Sequence, residues 1–393
     1  MKTYFKRFLR NFDYPLFFTY LILTLFGLVM IYSASMVWAV GQYGWPADYF
    51  FKKQIFNLSL AYPVFFLAAF FPYKHYKRKG FMATSVLIML VLLGLVHQIG
   101  YGDTVGAQSW IKLPFGAGSI QPSEVAKLVL IIYFAGVLAN KYNAGTIDNL
   151  NKSLGPPVLV LTFAVISIMM ETDIGMSFII ILSAFSVIVA SGLKRRTFLK
   201  MSGLISIGMV AVAGFLYLNW STIMTGGRKG RIEAFLNPFD YLQTSGYQIA
   251  NGYIAIGSGG VQGRGLGNSL QKMGYLPEPQ TDVIMAVISE ELGILGAIVV
   301  IGGLGFIVLR ALSIALKTKD PHARMLAAGI GSMIGIQTFV NLGGLMGLMP
   351  LTGVTLPFIS YGGTSVILLS LSLGILMNIS MFVKHENQKT IIR

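Results

Sequence analysis

Stretches of about 20 apolar residues recur along this 393-residue chain, and that recurrence constrains the fold more than any other feature. A helix needs roughly 20 apolar residues to cross the hydrocarbon core of a bilayer. Inside that core every backbone N–H and C=O must be satisfied within the protein, which selects helices. The runs lie near residues 15–38, 54–72, 81–98, 123–140, 156–171, 174–193, 199–219, 283–309, 325–347 and 357–383. They predict an all-α polytopic membrane protein of ten transmembrane helices, built as a single domain over residues 1–393. The first run follows a basic segment but is too long for the apolar core of a signal peptide, so it is read as an uncleaved helix.

The basic residues orient the spans. Of the 30 Lys and Arg, 21 fall in the loops of one side, eight in those of the other, and Lys127 lies inside a span. The positive-inside rule then places both termini in the cytoplasm. It also makes residues of about 220–282 a large extracellular loop between helices 7 and 8, and 99–122 a smaller one. A net charge of +15 on a soluble protein would suggest nucleic acid. Basic cytoplasmic loops account for it here, and no nucleic-acid partner is expected. With no cysteine there is no disulfide or thiolate metal site. The four histidines (His75, His97, His322 and His385) are scattered, which argues against a His-rich zinc site and a Ser-His-Asp triad. No internal repeat of the kind found in inverted-repeat transporters is visible.

Charges inside or beside the apolar runs are the candidate functional residues, because each is costly there unless paired or hydrated. Asp282 stands at the lip of the eighth span, where it suits either a helix cap or a general base at the membrane boundary. Glu290 and Glu291 follow eight and nine residues on, roughly 12–13 Å deeper. They project about 80° and 180° from Asp282, so they suit structural pairing or positioning rather than catalysis. Lys127 lies about one turn inside the fourth span, behind Gln121-Pro122-Ser123-Glu124, with Asp282 or a substrate phosphate as candidate partners. Glu124 could close a capping arrangement. Glu171-Thr-Asp173-Ile-Gly175 reads as a solvated turn, or as a second carboxylate site able to hold a metal ion. In the long loop, Arg228, Lys229, Arg231 and Arg264 are candidate anion ligands. The glycines of Gly257–Gly267 suit either a backbone cradle for pyrophosphate or a tight loop packed on the membrane part. Pro357, Gly362 and Gly363 open the last span and loosen helical pairing there.

Several of these stretches together resemble the shape, elongation, division and sporulation (SEDS) family. The similarity runs from Tyr32-Ser-Ala-Ser35 to Ser360-Tyr-Gly-Gly-Thr364. It is carried by Gly106-Ala-Gln-Ser-Trp110, Gln121-Pro-Ser-Glu124, Gly246-Tyr-Gln248, Ala255-Ile-Gly-Ser-Gly-Gly260, Tyr275-Leu-Pro-Glu278, Thr281-Asp282 and Glu290-Glu-Leu-Gly293. The resemblance implies a peptidoglycan glycosyltransferase that polymerises lipid II at the outer face of the bacterial cytoplasmic membrane. It matches Asp282 to the family's essential Asp and Lys127 to its lysine in the fourth span. It implies lipid II, a lipid-linked glycan strand, a class B penicillin-binding protein and other divisome or elongasome membrane proteins as partners. The basic amino terminus and the Tyr275–Thr281 variant lean toward the division branch and a septal location. The chain departs from the family in reading Gln280-Thr-Asp282-Val283 where His-Thr-Asp-Phe is common, and Glu171-Thr-Asp173 where Gln-Pro-Asp is common.

The implied reaction needs one base for the acceptor hydroxyl and cations for the pyrophosphate leaving group, with inversion at the anomeric carbon. Asp282 is the expected base. Lys127, Arg228, Lys229, Arg231 and Arg264, with Glu124 and Asp173 beside them, are the expected binding set. A divalent cation, magnesium or manganese, is a candidate cofactor. A lipid II flippase and a non-catalytic scaffold for the penicillin-binding protein are the alternatives.

Overall fold

The computed structural model describes residues 9–102, 109–112, 118–171, 173–200, 203, 227–244 and 246–391. In chain order the helices are α1 (Tyr14–Tyr43), α2 (Tyr49–Phe70), α3 (Lys79–Ile99), α4 (Pro122–Asn143), α5 (Gly155–Met170), α6 (Ile174–Val189), α7 (Gly227–Leu236), α8 (Tyr247–Gly259), α9 (Ile284–Lys317), α10 (Pro321–Leu345) and α11 (Gly363–Ile391). Among the described residues α1–α4 and α9–α11 are long and apolar enough to cross a membrane, while α5 and α6 are apolar but shorter. These correspond to nine of the ten expected spans; the other, 199–219, lies almost wholly outside the described residues.

Burial separates centre from rim. α10 packs against α4, α6, α9 and α11. The apolar windows of α4 and α11 are 78% buried, against 22% for α3. α3 turns Leu87, Ile88, Val91 and Ile99 outward, a surface suited to lipid. At one end of the bundle the buried Asp13 accepts bonds from Arg310 Nε and Nη2 and from Ser380 Oγ, with Lys384 3.8 Å away. That cluster ties the start of α1 to the last turns of α9 and α11. The opposite end carries Asp282.

The fold departs from the expected pattern in three places. The 99–122 loop is not purely irregular: β1 (Ile111–Lys112) pairs antiparallel with β2 (Ser119–Ile120), and Tyr101 bridges Trp110. The last helix begins at Gly363 rather than near 357. Pro357 lacks an amide hydrogen and Phe358 sits at φ 63°, a strained value for a bulky residue. The non-helical backbone there is satisfied by protein: Tyr361 N donates to Gln280 O and Ser360 Oγ to Thr281 O. Gln337 and Asn341 of α10 donate to the carbonyls of Thr355 and Val354.

The third departure is a break inside α9, at Gly293 (φ 59°, ψ −144°). The kink frees carbonyls in the middle of an apolar run, and the long loop returns to cap them. Arg264 N and Gly265 N donate to the carbonyls of Glu290 and Glu291, and Ile294 N donates to Val261 O. The glycine-rich stretch is therefore a clamp on a helix break, and the amides of Arg264 and Gly265 are not available to cradle a phosphate. A Cβ at Gly293 would collide with the Val261 carbonyl and the Gly263 amide, so only glycine fits.

Gly293→Ala should cost on the order of 1–3 kcal/mol from the strained φ alone, with the collision adding to it. The thermal midpoint in detergent should fall by several degrees. Gly302→Ala, on the same helix with open space around it, should leave the midpoint unchanged.

Candidate active site

Asp282 is the last residue but one before α9, at the end of the long returning loop. The N-cap position of α9 is Val283, directly after Asp282. Its carboxylate takes Gln248 Nε2 of α8 at 3.3 Å and Thr281 Oγ1 at 3.2 Å, both on Oδ1. Its own carbonyl accepts Asn341 Nδ2 at 2.7 Å. Asn341 thus holds Asp282 and Val354 together with one amide. Asp282 is buried, at 8% exposed, with its carbonyl held by Asn341.

One turn along α10, Gln337 links a second charged group to the same wall. Lys127 Nζ donates to Gln337 Oε1 at 2.6 Å and to Glu124 Oε1 at 3.0 Å. Glu124 therefore neutralises Lys127 rather than capping α4. Lys127 makes no ion pair with Asp282; Gln337, Asn341 and the 354–355 backbone connect them. Both members of the Lys127–Glu124 pair are buried, where breaking either side would leave an uncompensated charge.

Glu171 and Asp173 lie in the α5–α6 turn at the same end. Asp173 caps α6 through Met176 N, and its Oδ2 takes Gln121 Nε2 at 3.4 Å. Glu171 is buried with both carboxylate oxygens unpartnered. Burial first, and then the neighbouring Asp173, push its carboxyl up to about 8. Ser123 Oγ, Glu124 Oε2, Gln280 Oε1 and Asn341 Oδ1 are also buried without a partner among the described residues. Buried polar atoms are nearly always satisfied, so each of these calls for a water or another partner.

The remaining candidates fall elsewhere. Arg264 Nη1 lies 3.7 Å from Glu290 Oε1 and belongs to the loop clamp. Glu290 also takes Ser258, Ser269 and the amides of Leu270 and Gln271. Glu291 pairs with Lys272 at 2.6 Å. Pro357 lies in the turn before α11, Gly362 just ahead of that helix, and Gly363 at its first position. Arg228, Lys229 and Arg231 are on α7, and their side chains lie outside the described part of the structure. Among the described residues no three His, Cys, Asp or Glu side chains converge as a metal site. Sequence reasoning gave no role to Gln337, Asn341 or Lys272, and met Gln248 only within the motif Gly246-Tyr-Gln248. The amides are neutral and common, and the only signal for Lys272 was a lysine unmatched by nearby acids in the chain.

Glu171 gives a pH test. Its folded-state proton affinity is raised from 4.5 to about 8, so its contribution to stability is full below 4.5 and is lost as pH rises through about 8. Wild-type thermal midpoints in detergent should decline across that window. Glu171→Gln, an isostere of the protonated acid, should flatten the decline.

Comparison with known proteins places this geometry. The family model described as "Cell cycle protein", covering FtsW, RodA and SpoVE, matches residues 14–385. The probable peptidoglycan glycosyltransferase FtsW of Bacillus subtilis (strain 168) is 48% identical over 388 residues, 98% of this chain and 94% of that protein. Stage V sporulation protein E of the same organism is 35% identical over 368 residues, 93% of this chain and 96% of that protein. Two solved structures share the fold at 24% identity. One is a chain from a peptidoglycan synthase complex described as coordinating polymerization and crosslinking, with TM-score 0.75 over 95% of this chain and 98% of that one. The other is Thermus thermophilus RodA, with TM-score 0.64 over 94% and 96%. The chain belongs to the FtsW/RodA/SpoVE family.

Proposed function

We propose that this protein is a peptidoglycan glycosyltransferase that polymerises lipid II into glycan strands at the outer face of the cell membrane, with Asp282 as the base. The observation that carries the reading is Asp282 itself: a carboxylate fixed by Asn341 through its backbone and by Gln248 and Thr281 through Oδ1, at the end of an apolar bundle. Glycosyl transfer from a lipid pyrophosphate has a good leaving group and a poor nucleophile. Asp282 takes the proton of the acceptor hydroxyl as that oxygen attacks the anomeric carbon. The C–O bond to pyrophosphate breaks in the same displacement, with inversion. General-base catalysis of this kind contributes typically 10²–10⁴-fold.

The surrounding chemistry suits a saccharide. The unpartnered oxygens of Glu124, Gln280 and Asn341 are acceptors, which match the hydroxyl and amide hydrogens of amino sugars, and the protonated Glu171 carboxyl can both donate and accept. Lys127, held by Glu124 and Gln337, supplies the buried cation on this side, and Arg228, Lys229 and Arg231 are the candidate pyrophosphate ligands from α7. A divalent cation, magnesium or manganese, has no ready-made carboxylate cage among the described residues and would share its ligands with the pyrophosphate. In this reading Asp282 and the 220–282 loop face outward, both termini are cytoplasmic, and the ten-helix topology is complete. The partner is a class B penicillin-binding protein that cross-links the strands. The similarity to FtsW, stronger than that to the sporulation protein, supports a place in the divisome at the septum rather than in sporulation.

The purified protein with its cognate penicillin-binding protein should convert labelled lipid II into strands. Asp282→Asn should lower the rate by about 10²-fold or more while keeping the thermal midpoint and partner binding. Equal strand synthesis by both would remove Asp282 as the base. Absence of synthesis by wild type, under conditions where a known polymerase works, would favour a flippase or a scaffold. Lys127→Met should unfold or inactivate the protein, because it strands Glu124 as a buried charge. Lys127→Met with Glu124→Gln should recover folding without recovering the rate.

A further inference from the structure

Lys272 and Glu291 form an ion pair that no solvent reaches: both are 0% exposed, at 2.6 Å. Ser33 of α1 completes it. Its hydroxyl lies 2.7 and 2.8 Å from the two Glu291 oxygens and 2.9 Å from Lys272 Nζ. Three separate parts of the chain meet here: α1, the returning loop, and the last turn of α9 before its break. Isolated from water, such a pair is a poor source of stability, since an apolar pair of similar volume often serves as well or better. A buried charge pair does fix register, because a slipped partner leaves both charges unsatisfied.

What this register fixes is the loop that ends at Asp282. Glu290, the neighbour of Glu291, holds Ser258, Ser269 and the amides of Leu270 and Gln271. From Lys272 the chain runs ten residues to Asp282, and its far end is tied by Gln280 O to Tyr361 N and by Thr281 O to Ser360 Oγ. The segment is thus pinned at both ends, and Lys272 is the pin that reaches α1. We propose that Ser33, Lys272 and Glu291 are positioning residues for the transfer reaction, setting the place of Asp282 relative to α1 and the bundle. The inference rests on the polymerase reading above for its kinetic readout and on geometry alone for its structural one.

The test uses full-length protein reconstituted with its penicillin-binding partner. Lys272→Met/Glu291→Leu replaces the pair by apolar groups of similar volume. It should keep the thermal midpoint and hold KM for lipid II within about threefold. It should lower kcat by about 10- to 100-fold, since a displacement near 1 Å costs on that scale. A double variant with wild-type kcat would overturn the proposal. If the double variant does not fold, Ser33→Ala decides: it leaves the ion pair in place, and kcat should fall several-fold at an unchanged midpoint. Wild-type kcat in Ser33→Ala would again overturn it.

A second readout needs no activity. The chain has no cysteine, so spin labels at Val40→Cys and Tyr275→Cys, both exposed positions, report the α1–loop distance cleanly. One narrow distance distribution is expected in the otherwise wild-type chain, and a broad or shifted one when the pair or Ser33 is replaced. Identical distributions would overturn the proposal even if lipid II polymerisation were active. Broadened distributions in a chain that makes no strands would uphold the positioning role and count against the polymerase reading.

Discussion

A helix that breaks within an apolar bundle exposes backbone groups that lipid cannot satisfy. In this protein the break at Gly293 organises everything around Asp282. The two residues before it, Glu290 and Glu291, use both backbone and side chains to hold the returning loop. Their carbonyls take the amides of Arg264 and Gly265, and their carboxylates take Ser258, Ser269, Ser33 and Lys272. Without the break those carbonyls would be spent inside α9. Without the loop they would be unsatisfied. Each feature makes the other possible.

The same logic extends to α10, where two amides one turn apart do work that charges could not do as cheaply. Gln337 accepts from Lys127 and donates to Thr355, and Asn341 donates to Asp282 and Val354. A neutral amide can donate and accept at once, so it bridges a buried ammonium and a backbone carbonyl without adding net charge. The non-helical segment before α11 is held by these bonds on one face and by the 280–281 backbone on another. It is a strained element, with Phe358 at positive φ, kept in place by its surroundings.

The electrostatic pattern divides between the two ends. At the Asp13 end, one buried carboxylate gathers Arg310 and Lys384 and ties three helices together. At the Asp282 end, Lys127 and Lys272 are each matched by a glutamate, while burial raises the Glu171 carboxyl and no cation pairs with it among the described residues. The result is that Asp282 stands at an end of the bundle where both buried lysines are already matched by glutamates.

Much of this was legible in the chain. Runs of about 20 apolar residues fixed the helical membrane class, because no other backbone arrangement survives in lipid without a closed barrel. Charges stranded at the edges of those runs pointed to Asp282, Lys127, Glu290 and Glu291, since each is expensive there and so stands out. Partners were not legible. Glu124 read as a cap and is the counter-ion of Lys127; the glycines of 257–267 suited a phosphate loop as well as a packed one, and they clamp a helix break. Lys272 entered only the count of eight basic residues on the outer side, and it is buried beside Ser33 of α1. Hydropathy and local spacing report how one segment relates to the bilayer and to its own next turn. They carry no information on contacts between residues hundreds of positions apart, such as Ser33 with Glu291 or Asp13 with Ser380. The sequence by itself determined which residues had to be paired or hydrated. Only the tertiary structure decided with whom, because pairing depends on which helices pack side by side.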